Sequence, residues 1–447
     1  MITPALMYEP RACNVFSKFL SQIMPKFDLI TPGWKRSDLE TETLRIFDIC
    51  DGCRRCFNLC PSFTTLLNRI DDHESDVSKL TPQDFTQVEQ ECYYCKLCFN
   101  HCPYSPPHKY DLDFPRLMAA WKKQRTAEGG ATWRDKLLIQ TDLIGKIGSL
   151  TAPLTNWALR TPWVRSLVET VAGVHQSRQV LPFQSETFSQ WWEKRKPTPK
   201  PSISKGKVAF FPSCLVTFQV TDVGKATIQI LEKNGIEVVV PPNQQCCGMP
   251  RFDLGDTEGM QRIAEEQCQQ FLPYIEQGYD IVIPAPSCSL MFKREYPYLK
   301  ATPEMTRLAE RTYDVCEYLM RLKKDNTLSL EFPQNPGRVA YQIPCHLRDQ
   351  NIGFKSKDVM ELTGAKVHLI EKCSGHDGAW SAKKEFFDMS MKIAKKAVRE
   401  IKDENFDVVA SDCPLSGLQL DQALNAPPSR PALHPIQIVR NAYGLPS

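Results

Sequence analysis

Short apolar runs separated by longer amphipathic stretches fill the chain from residue 207 onward. Runs of this length, rich in Val, Ile and Phe, are typical of strands buried in a parallel sheet, and the stretches between them have helical spacing. The pattern therefore predicts alternating strands and helices. The predicted strands occupy 207–214, 237–240, 280–284, 338–345, 366–370 and 406–410.

The same order of elements occurs twice in this part of the chain, which indicates an internal repeat. A cysteine follows each strand, and three pairs of cysteines stand 131, 127 and 125 residues apart. These pairs are Cys214 with Cys345, Cys246 with Cys373, and Cys288 with Cys413. Ligands bind at the carboxyl ends of strands in open α/β sheets, so each copy is expected to gather its cysteines there.

A helical connector is predicted before the repeat, in residues 126–206. One apolar stripe runs through Ile139, Leu143, Ile147, Leu150 and Leu154. Thr161 and Pro162 read as the cap and first turn of another helix, whose apolar face is Trp163, Val164, Leu167, Val168 and Val171. The simpler interpretation is that both stripes pack on the protein's own domains. The functional interpretation is a surface for a membrane or a partner subunit. The basic, proline-rich residues 194–207 read as a solvated linker.

Two cysteine motifs of identical spacing lie before the connector. The first is Cys50, Cys53, Cys56 and Cys60-Pro61, and the second is Cys92, Cys95, Cys98 and Cys102-Pro103. This is the two-cluster ferredoxin pattern, in which three thiolates hold one [4Fe–4S] cube and the fourth binds the other cube. Two structural zinc sites are the alternative. Zinc is satisfied by pairs of cysteines, so it requires neither a third cysteine two residues further on nor the proline after the fourth.

Crossed ligand sets follow from this pattern. One cluster is expected on Cys50, Cys53, Cys56 and Cys102, and the other on Cys92, Cys95, Cys98 and Cys60. The polar spacer between the motifs suits short helices better than a β-hairpin ferredoxin, so the domain is predicted to be mostly helical.

The remaining cysteines form two incomplete sets. The first copy offers Cys214, Cys246, Cys247 and Cys288, for which an iron–sulfur cluster, zinc and redox-active thiols all stay open. The second copy offers Cys345, Cys373 and Cys413. These three thiolates suit a cluster with one open iron, or zinc with His376 as fourth ligand; alternatively, the thiols pack as small hydrophobic groups. Three further cysteines, Cys13, Cys268 and Cys316, fit no set.

Composition narrows the class of protein. The chain has 447 residues, 18 Cys and a net charge of +3, with 42% hydrophobic residues. We see no signal peptide, so the cysteines are expected to be reduced and the protein cytoplasmic. No apolar stretch approaches a membrane span, and no basic aromatic tract suggests nucleic acid. There is no GxGxxG fingerprint for a flavin or nicotinamide cofactor. A cluster-rich chain without an organic cofactor is expected to pass electrons between partners.

These motifs together resemble the iron–sulfur subunits of glycolate oxidase, lactate-utilisation and heterodisulfide reductase systems, and above all the C subunits of anaerobic glycerol-3-phosphate dehydrogenases. The resemblance includes Cys246-Cys247-Gly248-Met249-Pro250 and Pro344-Cys345-His346. It implies an electron-transfer subunit that accepts electrons from a flavin dehydrogenase subunit and passes them towards membrane quinone. It also implies peripheral association with the inner face of the membrane.

The chain departs from the family's five-cysteine motif, Cys…CysCysGly…CysxxCys. Ala285 replaces one cysteine of the first copy, and Ser374 and Ser416 replace two of the second. These departures argue against a five-thiolate noncubane cluster in either copy. Two alternative functions stay open. One is a thiol, disulfide or peroxide-linked reductase acting at a metal site of a cysteine-rich (CCG) repeat, named for its CysCysGly motif. The other is an electron donor to a non-flavin partner such as a di-iron peroxidase.

The sequence therefore predicts an α+β multidomain protein with four parts. Residues 1–125 form a helical ferredoxin-like domain with two [4Fe–4S] clusters, and residues 126–206 form the amphipathic connector and linker. Residues 207–330 form the first CCG α/β repeat, and residues 331–447 form the second, degenerate one.

Overall fold

A computed structural model describes residues 35–195, 204–425 and 431–446. The chain divides into two compact units. The first contains the described residues up to Ala131 together with Phe252–Thr257, and the second contains the remaining described residues. Cys13 and the centre of the basic linker, 196–203, lie outside the described residues.

The first unit is helical, as its spacer predicted, and its described residues contain no strand. Its helices are Arg36–Cys53, Pro61–Asp72, Pro82–Glu91, Leu97–His101 and Phe114–Ala127, with a 3-10 turn at Val77–Lys79. Thr81 and Asp84 form a reciprocal capping box at the start of the third helix.

An aromatic core holds these helices together. Phe63 and Phe114 are in contact, with ring centroids 4.3 Å apart, and Phe47 packs on both Phe85 and Phe114. The indole of Trp121 donates a hydrogen bond of 2.8 Å to the hydroxyl of Thr43, which satisfies both buried groups. The loops that carry the cysteines therefore connect helices that this core holds together.

The second unit begins with the connector helices. These are Trp133–Leu138, Thr141–Leu150, Ala152–Arg160, Pro162–Ala172 and Phe188–Lys194. The described residues contain no helix long and apolar enough to cross a membrane.

The predicted repeat is present as two parallel sheets in the second unit. In the first sheet β1 (Gly206–Phe210), β2 (Ile236–Val239), β3 (Asp280–Ile283) and β4 (Thr312–Asp314) have the order β2-β1-β3-β4. In the second, β5 (Arg338–Gln342), β6 (Lys366–Ile370) and β7 (Val408–Ala410) have the order β6-β5-β7. Every pair of neighbours is parallel. The α+β multidomain prediction is confirmed; β4, which the apolar pattern did not predict, has no counterpart among the described strands of the second sheet.

Helices connect these strands and cover the sheets. In the first copy they are Ser213–Phe218, Thr221–Lys233, Met249–Leu254, Thr257–Glu276, Pro286–Leu290, Tyr296–Leu299, Pro303–Glu310 and Val315–Lys324, with a π turn at Met291–Glu295. In the second they are Cys345–Asp349, Lys355–Leu362, Phe387–Lys402, Pro414–Leu424 and Pro435–Ala442.

Strand register corrects one predicted equivalence. Val208 pairs with Asp280 in the first sheet, and Val339 pairs with Val408 in the second. Since Val208 and Val339 are equivalent, the third strands are 128 residues apart. Cys413 is therefore the counterpart of Ala285, and Cys288 is the counterpart of Ser416. The predicted match of Cys288 with Cys413 was wrong because it relied on the residue type rather than on the register.

The connector corrects a second interpretation, since most of its large apolar side chains do not pack on the part of the chain that the structure describes. Leu150 is 85% exposed and Trp163 is 66% exposed. The inward face is made of small residues instead: Gly145 lies against the ring of Phe218, and Gly148 lies against Phe183. The other exposed apolar residues of this surface are Leu143, Ile147, Leu154, Trp157, Leu167 and Val171. Of the predicted stripes, Ile139 is buried, at 9% exposed.

Candidate metal centres

The two cysteine motifs of the first unit adopt the same local turn. Arg54 follows the second cysteine of the first motif with a φ of 52°, and Lys96 follows the second cysteine of the second motif with a φ of 58°. A left-handed residue at this point reverses the chain, so that consecutive thiols point to one side. The fourth cysteines differ: Cys60 caps the start of a helix, whereas Cys102 ends one.

Four thiols of the first predicted set line one pocket. Cys50, Cys53 and Cys56 share it with Cys102, which comes from the other motif, and Cys98 of the second predicted set also lines it. Most of the other walls are apolar, and they include Ile49, Phe63, Leu67, Phe99, Leu112 and Phe114. The structure therefore brings together the four cysteines that the crossed pattern joins.

Electrostatics link the thiols of each set. Burial, and then the nearby Cys102 and Cys53, raises the pKa of the Cys56 thiol to about 12. Burial likewise raises the pKa of Cys98 well above its usual value, with Cys92 and Cys60 next among the causes. Thiols gathered in an apolar pocket resist ionisation unless a cation accompanies them. This donor set consequently fits a polycationic iron–sulfur core.

The first CCG copy places its four thiols at the carboxyl ends of β1, β2 and β3. Cys214 lies in the short helix Ser213–Phe218 after β1, and Ser213 at its start has a φ of 72°. Cys246 and Cys247 follow β2, and Cys288 lies in the short helix after β3. A buried serine held in the left-handed region marks a turn that the surrounding structure has to enforce.

Hydrogen bonds connect these four thiols to one another. Cys214 and Cys247 both donate to Cys246, and these bonds hold the pKa of the Cys246 thiol well below its usual value. The same interactions raise the pKa of Cys214 and Cys247, and Cys247 is also bonded to Cys288. The four sulfurs therefore form one continuous hydrogen-bonded group, in which Cys246 is the acceptor of two of the bonds.

Backbone contacts fix the Cys246–Gly248 loop in place. The carboxylate of Asp142 accepts a hydrogen bond of 2.8 Å from the amide of Cys246, and the amide of Gly248 lies 3.4 Å from the Cys246 Sγ. The hydroxyl of Tyr296 donates to the carbonyl of Cys247 at 2.7 Å. Asp142 and Tyr296 support the site from distant segments, and no spacing rule in the sequence could have assigned them this role.

The second CCG copy gathers Cys345, Cys373 and Cys413 at the ends of β5, β6 and β7. Burial raises the pKa of Cys345 well above its usual value, and Cys373, Asp377 and Cys413 add to the shift. In place of the missing cysteines, the hydroxyl of Ser374 donates to that of Ser416 at 3.1 Å. Two positions that hold bonded thiols in the first copy therefore hold bonded hydroxyls in the second.

His376 lies half-buried near this second site. Burial, and then the nearby charge of Arg178, lowers the pKa of His376 to about 3, so its imidazole is neutral. Its amide donates to the hydroxyl of Ser374 at 3.4 Å. The role of His376 as a fourth metal ligand stays a prediction.

The two copies contact each other beside their cysteines. The hydroxyl of Ser287, next to Cys288, lies 2.9 Å from Nδ1 of His346, next to Cys345. The amide of Gln350 donates to the carbonyl of Pro286 at 3.1 Å and to the hydroxyl of Ser289 at 2.8 Å. These hydrogen bonds therefore connect the two copies directly beside both groups of cysteines.

A third cluster of polar residues was missed by sequence reasoning. Ligand atoms of Asp314, Cys316 and Asp412 all lie within 4.8 Å of one another, and all three residues are fully buried. Asp412 accepts hydrogen bonds from Tyr341 and Ser356. Burial, with Asp412 adding to it, raises the pKa of Asp314 well above its usual value. Asp314 and Asp412 belong to different copies, so their proximity depends on the fold.

Comparisons with known proteins agree with this geometry. The cysteine-rich CCG domain model matches residues 208–293 and 339–421. The Fer4-like domain model of citrate utilization protein B matches residues 43–128. Lactate utilization protein A of Bacillus pumilus is 30% identical over 218 residues, which cover 46% of this chain and 87% of that protein.

The chain belongs to the family of iron–sulfur subunits with CCG cysteine-rich domains. The C subunit of anaerobic glycerol-3-phosphate dehydrogenase from Escherichia coli K12 is 25% identical over 317 residues, 69% of this chain and 77% of that protein. The predicted resemblance is thus confirmed. Both CCG matches fall within the two sheets, and the Fer4-like match falls within the first unit.

Proposed function

We propose that this protein is the electron-transfer subunit of an oxidoreductase complex, passing electrons from a partner flavin dehydrogenase towards membrane quinone. The observation that carries the proposal is the crossed grouping of the first unit, in which Cys102 and Cys98 of one motif line a pocket with Cys50, Cys53 and Cys56 of the other. Such crossing places two one-electron centres close together. The name of the Escherichia coli relative, a dehydrogenase subunit, supports a dehydrogenase partner.

The proposed ligands are two [4Fe–4S] sets in the first unit and a third set in the first CCG copy. The first unit supplies Cys50, Cys53, Cys56 and Cys102, and Cys92, Cys95, Cys98 and Cys60. The third set is Cys214, Cys246, Cys247 and Cys288. When bound, iron–sulfur clusters supply reversible one-electron chemistry. The protein's residues hold the thiolates, exclude water with apolar walls and donate backbone amides to sulfur, as Tyr104 does to Cys102 at 3.4 Å.

We further propose that the exposed face of the connector rests on a bilayer surface. This connector face consists of Leu143, Ile147, Leu150, Leu154, Trp157, Trp163, Leu167 and Val171. Water does not favour so many large apolar side chains together, and Trp is enriched where membranes meet water.

The charges around the connector face favour an anionic lipid surface. Lys136, Lys146 and Arg160 are exposed. The acidic groups of the helices around this face have partners within the protein: Asp135 pairs with Lys383 at 2.6 Å, Asp142 binds the Cys246 amide, and Glu169 accepts from the Gln176 amide at 2.6 Å. The resulting excess of positive charge attracts anionic headgroups.

Iron analysis of anaerobically purified protein tests the cluster assignment. We expect about eight iron atoms per chain from the first unit and about four more from the CCG site, with reduced cubane signals in electron paramagnetic resonance. Cys60→Ser should perturb the same cluster as Cys98→Ser, because the sets are crossed. Cys268→Ser, a buried cysteine in the middle of the Thr257–Glu276 helix, is the matched control and should keep all iron. About four iron atoms or fewer in the wild-type chain would refute the proposal.

Liposome flotation tests the membrane surface. The wild-type chain should float with vesicles that contain anionic lipid, and Leu150→Glu with Trp163→Glu should release it. The control is Leu330→Glu, since Leu330 is an exposed leucine as well, at 55%, but lies outside the connector. This part of the proposal would be contradicted if all variants floated equally, or if the wild-type chain did not float with the vesicles.

A further inference from the structure

The connector helix Thr141–Leu150 contacts one cysteine of the first CCG copy at two points. The carboxylate of Asp142 accepts a hydrogen bond of 2.8 Å from the amide of Cys246, and the hydroxyl of Thr141 forms a hydrogen bond to the Cys246 sulfur. The start of this helix therefore holds both the backbone and the sulfur of a proposed cluster ligand. Groups that bind the ligands of a metal centre from outside tune the centre as well as orient its ligands.

Close packing fixes the position of these two side chains. A Cβ at Gly145 would lie 2.2 Å from the ring of Phe218, so the connector helix lies directly on the short helix that carries Cys214. The hydroxyl of Ser149 donates to the carbonyl of Phe218 at 3.5 Å. The carboxylate of Asp142 is thus held beside the cysteines by the packing of the whole helix. A charge that is held in place acts on a neighbouring centre without first having to reorient.

The charge of Asp142 disfavours negative charge on the group of sulfurs. The hydrogen bond with Cys246, and then burial, raises the pKa of the Cys214 thiol, and the nearby Asp142 adds to this shift. An electron accepted by a bound cluster adds one negative charge at the same place, so the carboxylate also disfavours reduction.

Two cations balance part of this carboxylate's charge. Burial raises the pKa of Asp142, whereas the charges of Lys146 and Arg251 oppose that shift. Loss of the carboxylate would leave these two cations beside the sulfurs without their counter-charge. Both the missing anion and the remaining cations would then make reduction easier.

The hydroxyl of Thr141 has the opposite effect on the same sulfur. A hydrogen bond donated to a ligand sulfur draws negative charge away from the metal core, which raises the potential. This hydroxyl is buried, and among the described residues it has no oxygen or nitrogen partner besides its contact with the Cys246 sulfur. Two consecutive residues therefore shift the potential in opposite directions.

We propose that Asp142 is a positioning residue that lowers the reduction potential of the third metal centre, with Thr141 offsetting part of its effect. This inference rests on the proposed function and names the residues outside the ligand set that control that centre. A lower potential makes the centre retain an electron less strongly, so the electron passes on to the acceptor. The same helix carries Leu143 and Ile147 of the connector face, which is the surface proposed to meet the membrane.

Redox titration of the iron-loaded chain, followed by electron paramagnetic resonance, tests the inference without measuring turnover. The signal of the third centre is the one that Cys246→Ser removes. Asp142→Asn keeps an acceptor for the Cys246 amide but removes the charge. The equilibrium constant for reduction should therefore rise about ten-fold, which is an increase of about 59 mV for one electron. Thr141→Val should lower the potential of the same centre. Glu310→Gln, which removes an exposed carboxylate from the end of another helix, should leave it unchanged.

The outcomes separate this inference from the proposed function. An unchanged potential in Asp142→Asn with full iron content would overturn the inference. Shifts of the same sign in Asp142→Asn and Thr141→Val would also overturn it, since they would reflect a general loosening of the loop. If Asp142→Asn lost the iron of this centre, Thr141→Val would decide: a lowered potential would support the inference, and any other result would overturn it. A wild-type chain with only about eight iron atoms and no third signal would refute the third centre of the proposed function itself.

Discussion

The two CCG copies have the same three-strand core but different chemistry at its edge. At the positions after β2 and β3, the first copy has Cys247 and Cys288 as bonded thiols. At the matching positions after β6 and β7, the second copy has Ser374 and Ser416 as bonded hydroxyls. The hydroxyl pair satisfies itself, as buried polar groups must. One fold can thus keep its geometry while losing two soft metal ligands.

The supports of the two copies also differ. In the first copy, Asp142 of the connector binds the backbone of the CysCysGly loop. In the second, Arg178 is buried and donates to the carbonyl of Ser381 at 2.7 Å, to the hydroxyl of Ser390 at 3.0 Å and to Gln419. In the first copy, a side chain of the connector thus supports the loop that carries the thiols. In the second copy, the buried guanidinium connects polar groups of the copy itself. The difference suggests a metal-carrying copy and a structural copy.

The largest expected difference between the copies is in iron content after one cysteine in each is replaced. Cys246→Ser should lower the iron content by about four atoms per chain, whereas Cys373→Ser should leave it unchanged, because the second copy lacks two thiolates. Iron and sulfide analysis with electron paramagnetic resonance would measure this. Equal iron loss from both variants would show that the second copy also holds a cluster.

Restoring the missing thiols should make the copies alike. Ser374→Cys with Ser416→Cys places two thiols where the hydroxyls lie 3.1 Å apart and completes the five-cysteine motif with Cys345, Cys373 and Cys413. We expect additional iron after anaerobic reconstitution. Ser287→Cys, outside the motif, is the control; an equal gain of iron there would point to adventitious binding.

The glycines of the two loops should respond differently to alanine. Gly248 and Gly375 have φ values of 84° and 76°, so each alanine would be strained. A Cβ at Gly375 would lie 2.2 Å from the backbone oxygen of Ser390, whereas at Gly248 it would meet the flexible side chain of Met260. Thermal unfolding should show a loss of about 3–5 kcal/mol for Gly375→Ala and about 1–2 kcal/mol for Gly248→Ala. A larger loss at Gly248 would contradict the rigid second loop.

Removal of the Arg178 guanidinium should loosen only the second copy. Burial lowers the pKa of Arg178 to about 10, so it stays charged at pH 7 and its acceptors depend on it. Arg178→Met should cost about 3 kcal/mol because Gln419 and the Ser381 carbonyl lose their donor. Hydrogen exchange should increase in 373–382 but not in 246–251. Faster exchange in both loops would mean that the copies are not independently braced.

A smaller effect is expected at Asp314, where the copies meet. Its raised pKa means that the folded protein holds a proton that the unfolded chain releases near pH 4. Its contribution to stability is therefore complete below the unfolded pKa and is lost as pH rises. Asp314→Asn keeps the acceptor for the Cys316 amide, so it should match wild type at pH 3, below the unfolded pKa, and exceed it by about 1 kcal/mol or more at pH 8.

Urea unfolding at both pH values would measure this difference. The control is Asp325→Asn, an exposed carboxylate whose partner Arg321 is 3.9 Å away, and it should show no such trend. A variant of Asp314 that is less stable than wild type at pH 8 would mean that the carboxylate is ionised in the folded state.

Much of the fold could be read from local patterns, because they depend on neighbours in the chain. Apolar runs predicted β1 to β3 and β5 to β7, and Thr161 with Pro162 marked a helix start. The short strand β4 was missed, since Thr312–Asp314 has only one hydrophobic residue among three and owes its strand to pairing with β3. The match of Cys288 with Cys413 was wrong, whereas the five-cysteine pattern, which aligns Ala285 with Cys413 and Cys288 with Ser416, agrees with the strand register.

The sequence by itself determined the cysteine spacing, the doubled α/β order and the amphipathic connector, since these follow from periodicity and ligand chemistry. Only the tertiary structure decided which way the connector faces: Gly145 and Gly148 let its small side pack closely on Phe218 and Phe183, so the large apolar side chains point outward. It also decided that Asp142 reaches Cys246 and that Ser374 meets Ser416, because contacts between distant segments depend on how the whole chain packs.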